Sequence, residues 1–287
     1  KPKRFFIAAD GPRVYKEDET EKCTYIRQWV LDNIDWECEV KTLFREQNVG
    51  CGRGPSEAIS WFFEHVTEGI ILEDDCLPNE TFFKFCAELL EKYRDNPKIS
   101  IISGNNFQEQ QPMDMEESYY YSVFPSSNGW ATWKRTWDGF DYRISSWPQV
   151  DRKKLSKFLF KDKRYAQFWI DYFDGMTLSM PEDMWDVQFH YHCMVRQQLA
   201  IIPKANLVSN IGYGPDATHS KDPTSYFANV PTHLIPFPLR HPTAFTRNYQ
   251  ADMFIQENLF GVVDIDTNFK KIKRFIKRLI RYNPSLY

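Results

Sequence analysis

Apolar positions in the first hundred residues follow two periods in alternation. Short runs at 4–9 (RFFIAA), 39–44 (EVKTLF), 69–73 (GIILE) and 99–103 (ISIIS) predict strands. Between them, the stretches 21–33, 54–66 and 80–94 carry the amphipathic pattern of helices. This βαβ rhythm predicts an α/β fold with a mostly parallel sheet covered by helices on both faces. Past Gly104 the rhythm gives way to loops and aromatic segments. Residues 119–124 read as a strand, 131–136 as the start of a helix, and 153–173 as one or two helices. Ser179 and Glu182, on either side of Pro181, make a capping box for a helix running to about 198, and 199–208 returns as a strand.

No internal repeat or low-complexity linker divides the chain, so residues 1–267 read as one domain followed by a basic appendage, 268–287. In that appendage Phe269, Ile272, Phe275, Ile276, Leu279 and Ile280 recur at three- and four-residue steps among seven lysines and arginines. It is expected to form an amphipathic helix. Two placements are open to it: an anionic membrane surface, or docking back on the domain with its lysines in water.

The 287 residues carry a net charge of −3, yet taking seven bases away with the tail leaves 29 against 39 acids. So acidic a body argues against nonspecific nucleic-acid binding, which needs a broad basic face. No apolar run approaches the ~18 residues of a spanning helix. Six cysteines lie scattered without a C-x-x-C pair, which points to a reducing, cytoplasmic setting rather than a zinc ribbon or disulfide scaffold. With the tail on a membrane, the protein is expected to be peripheral on its inner face.

Candidate chemistry is concentrated at 69–78 (GIILEDDCLP), where an apolar strand runs straight into Glu73, Asp74 and Asp75. In open parallel sheets ligands bind beyond the carboxyl ends of strands. Three acids there suit a hard divalent cation, Mn²⁺ or Mg²⁺, that bridges carboxylates to substrate phosphates. The same acids also suit a solvated turn before a helix.

This acidic strand end resembles the DXD-type motif of GT-A glycosyltransferases, in the EDD form of the N-acetylglucosaminyltransferase I family and its bacterial relatives. Residues 99–107 (ISIISGNNF), 128–131 (NGWA), Trp185-Asp186 and 209–220 (SNIGYGPDATHS) occur in the same order as that family's blocks. The resemblance implies a GT-A type, Rossmann-like fold whose first strand is missing from this chain. It also implies transfer of a sugar, with inversion, from a nucleotide-sugar donor such as a UDP-sugar to a glycan or glycolipid acceptor.

Roles follow residue by residue. The resemblance implies that Asp75 ligates the metal, while Glu73 and Asp74 contact the ribose or support the metal's water shell. Asp186 becomes the general base, with Asp183 three residues earlier as the substitute; Asp141, Asp171 and Asp174 are more remote ones. Asp10 falls where the family places an acid near the nucleotide base, although a D-G-P turn equally suits a capping aspartate. Gly129 and Trp130 are suited to shaping the sugar pocket, with core packing the other reading for Trp130, and the resemblance places His219 near the diphosphate, a structural role being its alternative. Arg53, in the glycine-rich 48–56 (NVGCGRGPS) ahead of a helix, is a further donor-site candidate. His190 and His192 read as packing residues. Other readings remain open at this level: a sugar nucleotidyltransferase or phosphohydrolase, or a noncatalytic carbohydrate-binding protein.

Overall fold

The computed structural model describes residues 1–108, 115–215, 217 and 221–262. Its first half realises the expected alternation: β1 (Arg4–Ala9), α1 (Glu19–Asp32), β2 (Glu39–Phe44), α2 (Gly50–His65), β3 (Glu68–Ile71), β4 (Cys76–Pro78), α3 (Glu80–Tyr93) and β5 (Ile99–Ser103). The second half adds β6 (Tyr119–Ser122), β7 (Trp130–Trp133), α4 (Lys134–Trp137), α5 (Arg152–Leu159), α6 (Lys163–Leu178), α7 (Asp186–Val195), β8 (Leu199–Pro203), β9 (Val208–Asn210) and α8 (Tyr249–Asn258). The chain is a mixed α/β protein.

The expectation of a mostly parallel sheet needs correction. β1 and β2 pair in parallel, from Arg4 opposite Glu39 to Ala9 opposite Phe44. The five-stranded central sheet, in the order β3-β7-β5-β8-β6, is parallel only between β5 and β8. The physical cause is β7, whose WATW segment was expected to open a helix. It runs antiparallel between β3 and β5, with all four residues buried. Helix follows only at α4. Among the described residues β1 has no strand partner besides β2, and β3 none besides β7.

Alternation along the central strands separates two apolar clusters, because successive side chains of a strand point to opposite faces. Leu199 and Ile201 of β8 join one cluster with Phe82, Phe85 and Trp169. Ala200 and Ile202 join the other with Ile59, Phe63, Trp185 and Phe189. α3 starts cleanly because Asn79 Oδ1 accepts from the Thr81 amide and Pro78 ends the preceding strand.

Two helix boundaries differ from expectation. α2 begins at Gly50 rather than 54, so the glycine-rich segment is its first turn and not a loop ahead of it. Ser179 ends α6 as its C-cap, and the next helix starts only at Asp186. The intervening segment is instead held across the fold, where Tyr142 Oη donates to the Glu182 carbonyl at 3.0 Å. The helix expected at 268–287 falls outside the described residues. Among those described, no helix is long and apolar enough to cross a membrane.

Candidate active site

Beyond β3 the chain turns tightly, with the Cys76 amide donating to the Glu73 carbonyl at 3.1 Å. Residues 76–78 then pair antiparallel with β9, and Cys76 faces Asn210. This ladder holds Asp75. Its carbonyl accepts from the Ile211 amide at 2.9 Å, and its Oδ2 accepts from Asn210 Nδ2 at 3.0 Å. Asn210 Nδ2 also donates to Asn128 Oδ1 at 3.0 Å. A side chain at position 212 would collide with this cluster, since a Cβ there falls 2.6 Å from Asp75 Oδ2. Glycine is what lets β9 close over the acid.

Asp186 reaches the same place from another direction. It is the first residue of α7, where the helix dipole favours a carboxylate. The residue before it, Trp185, is anchored in the core by stacking on Trp130 at 5.9 Å and 27°. A cavity of about 540 Å³ opens between these elements; Glu73 and Asp75 line it, as do Asp183 and Asp186.

The electrostatics of that wall are lopsided. Glu73, Asp75 and Asp186 make no ion pair with any described residue, and the lining includes no lysine or arginine. Glu73 keeps much of its surface accessible, but that surface faces the concavity. Burial there, followed by the charges of Asp75, Asp186 and Asp74, pushes its carboxyl up from 4.5 to about 7. Among the described residues no three His, Cys, Asp or Glu side chains form a metal cage. Mg²⁺ and Mn²⁺ do not demand one: a carboxylate or two, with substrate phosphate and water, completes their shell. Asp75 supported by Glu73 fits that partial donor set.

The other expected residues divide sharply. Asp74 is exposed and does not line the cavity. Asp10 has the capping role. Its Oδ1 accepts from the Gly11 amide at 2.8 Å and its Oδ2 from the Gly50 amide at 3.0 Å, while Val49 N–H lies 3.0 and 3.1 Å from the two oxygens. Arg53 projects from α2 into solvent, with Glu57 4.0 Å away, and is not on the cavity wall.

Trp130 is corrected: it is 0% exposed, packed on Trp185 and Phe189, so its ring is not available to a sugar. Gly129 is required for backbone reasons. Its φ is +65°, a Cβ there would lie 2.9 Å from Val208, and its carbonyl accepts from the Gly104 amide at 2.7 Å. Neither residue lines the cavity, although Asn128 just before them does. His219 lies outside the described residues. Asp141 is bound to Ser146, Asp171 to Gln167 and Asp174 to Arg152 and Trp147, all away from the cavity.

Among the wall residues not singled out in the sequence are Asn105, Asn128, His190 and Asn210. The packing role expected of His192 holds, since it is buried with Nε2 2.7 Å from the Thr136 carbonyl. His190 also packs, against the rings of Trp169 and Phe260, but it lines the cavity as well. That residue stands four after Asp186 on one helix, and this i, i+4 spacing is the signal that puts the two on one face.

The start of α2 completes the rim. Cys51 Sγ lies 3.1 Å from the Asp183 carbonyl, and a Cβ on Gly52 would meet the Glu182 carbonyl oxygen at 2.2 Å. The chain matches no protein-family model, and no curated protein matches it either.

Proposed function

We propose that this chain is a metal-dependent glycosyltransferase of GT-A type, moving a sugar from a nucleotide-sugar donor to a hydroxyl acceptor with inversion. The observation that supports this most is the pairing of two separate acidic elements across one cavity. Glu73 and Asp75 follow β3, an edge strand of the five-stranded sheet, and Asp186 opens α7.

Asp75, with Glu73 beside it, would hold Mn²⁺ or Mg²⁺. Such an ion, when bound, offsets the negative charge that grows on a departing nucleoside diphosphate. The protein's own contribution is positional. Asn210 orients the Asp75 carboxylate, and Gly212 leaves room for it. Asp186 accepts the proton of the acceptor hydroxyl as that oxygen attacks the anomeric carbon, which leaves the alcohol oxygen bonded to the sugar and the proton on the carboxylate. Inversion in this reading comes from the resemblance to the N-acetylglucosaminyltransferase I family. The donor in this reading is a UDP-sugar. The acceptor is a glycan or glycolipid at the inner face of a membrane, reached through the basic tail.

A thermal-shift series on the full chain tests this, using UDP-, GDP-, CMP- and dTDP-sugars with and without Mn²⁺. The expected result is a rise in Tm for at least one UDP-sugar only when Mn²⁺ is present, followed by transfer that yields the inverted anomer. Stabilisation by every nucleotide equally without metal, or release of inorganic phosphate in place of sugar transfer, would refute it.

A further inference from the structure

Asn105 and Asn106 follow β5 side by side, and both are buried, at 2% and 1% exposure. Asn106 is fully used. Its amide N–H donates to Asn206 Oδ1, its Nδ2 to the carbonyls of Pro203 and Lys204, and its Oδ1 accepts from the Gln108 amide, all at 2.8–2.9 Å. Asn105 is the reverse. Neither Oδ1 nor Nδ2 has a hydrogen-bond partner, although the side chain lies on the cavity wall. An unpaired buried amide is destabilising, and native folds rarely keep one without a use.

A second unmet group shares the cavity. His190 Nδ1 is buried without a partner, one turn along α7 from Asp186. Burial pulls this imidazole below its ordinary value, against the Asp186 charge and the Pro125 carbonyl, and so favours the neutral ring. Amide and imidazole together offer hydrogen-bond donors and acceptors but no charge.

The surroundings decide what such a pair faces. Carboxylates line the same cavity with no lysine or arginine among the described residues to balance them, so away from a bound cation an anionic group is repelled from this wall. Phe107, Phe124, Ile255 and Phe260 add apolar surface beside the two polar groups. Hydroxyls for the amide and imidazole, with a C–H face for the aromatic rings, are the features of a neutral sugar ring.

We infer that Asn105 and His190 form an inner subsite that binds the hydroxyls of a neutral sugar ring next to Asp186. Whether that ring belongs to the donor or the acceptor rests on the transferase reading; its chemistry does not.

Two arms of one experiment on the full chain separate the sources, with Asn105→Ala and His190→Ala beside the parent. In the donor arm, calorimetry in Mn²⁺ compares UDP with UDP-glucose, UDP-galactose and UDP-N-acetylglucosamine. In the acceptor arm, saturation-transfer NMR follows methyl glycosides of glucose, galactose and mannose on protein saturated with UDP and Mn²⁺, and on protein alone. The subsite predicts that each variant loses about tenfold in sugar binding in one arm, while affinity for UDP itself stays within about twofold. It also predicts that the unliganded Tm of Asn105→Ala is unchanged or higher, since the substitution removes an unmet polar group.

A fall in that Tm with sugar binding unchanged, as a purely structural role requires, overturns the inference. So does unaltered sugar binding in both arms, or a parent that binds no sugar in either. If glycosides bind through Asn105 while no nucleotide binds with Mn²⁺, the subsite stands and the transferase reading falls. With Mn²⁺-dependent nucleotide binding and no effect of Asn105 or His190, the subsite falls and the transferase reading stands.

Discussion

Replacing Gly212 by alanine adds one carbon 2.6 Å from Asp75 Oδ2 and 2.8 Å from Asp75 Cβ. Ordinary contact begins near 3.4 Å, so something must move. The backbone is poorly placed to yield, because Gly212 N–H donates to Asn210 Oδ1 at 2.8 Å and Ile211 N–H to the Asp75 carbonyl at 2.9 Å. The Asp75 carboxylate can rotate away, but its Cβ cannot, so the backbone must also shift by a few tenths of an ångström. Turning the carboxylate away breaks its 3.0 Å bond from Asn210 Nδ2. A hydrogen bond to a charged group is worth about 1.5–3 kcal/mol, so binding that depends on this orientation should weaken by roughly ten- to hundredfold. Gly214→Ala is the matched control: it lies in the same segment, with nothing within 4 Å of its added carbon. Calorimetric titration of UDP in the presence of Mn²⁺, with a thermal melt to verify folding, measures both variants. Folded Gly212→Ala that binds within about twofold of Gly214→Ala would refute the role given to this cluster.

Asp186→Asn should leave UDP affinity nearly intact and lower transfer by ~10²- to 10⁴-fold, the range for loss of a general base, while Asp183→Asn does less; initial-rate kinetics with parallel calorimetry decide, and equal losses from the two would remove Asp186 from that role. The Glu73 carboxyl, raised from 4.5 to about 7, holds a proton in the metal-free fold below that pH. Its stabilising contribution is therefore fully present below pH 4.5 and lost as pH rises through about 7. Cation binding favours the ionised form, so Mn²⁺–UDP affinity should fall from about pH 8 to about pH 6, with protons released to the buffer on binding; affinity independent of pH in buffers of different ionisation enthalpy would contradict this. Asp252, fully buried, holds α8 to β6 through Ser122 Oγ and lies 2.8 Å from Arg247 Nε. Removing it as Asp252→Ala leaves that guanidinium its bonds to the Phe158 and Leu159 carbonyls but no counter-charge, and should cost about 3–5 kcal/mol in urea denaturation; a loss below about 1 kcal/mol would show that the pair is dispensable.

Strands whose apolar pattern is local were legible in the sequence: β1, β2 and β5 lie where their runs predicted. β7 was not, because WATW carries no alternation of polar and apolar residues. Its place between β3 and β5 depends on partners remote in the chain. That one insertion accounts for two of the three antiparallel pairings of the central sheet. The early start of α2 was hidden for a related reason. Gly50, Gly52 and Gly54 are poor helix formers, and the turn is set by Asp10 and by close packing against the Glu182–Met184 backbone.

For the site, Glu73 and Asp75 were legible because they interrupt an apolar strand, whereas Asp186 was singled out only by the Trp185-Asp186 resemblance, its helix being expected to start at 179. The convergence of these acids on one cavity was not legible, since it requires β4 and β9 to pair. Trp130 shows the limit of residue type as a guide: an aromatic ring suits a sugar or a core, and only its complete burial decides. Asn105 is the converse. Nothing in S-G-N-N-F distinguishes an asparagine with every bond made from a neighbour with none.

The most direct test of the central claim is uptake of Mn²⁺ measured by electron paramagnetic resonance on the full chain, with UDP present or absent. The account predicts that the free Mn²⁺ signal falls when parent protein and UDP are present together, beyond the effect of UDP alone. Asp75→Asn, still folded, should restore most of that signal. Uptake by Asp75→Asn equal to the parent's, or no uptake by the parent with any nucleoside diphosphate, would contradict the assignment of this acidic strand end to a metal-dependent transferase.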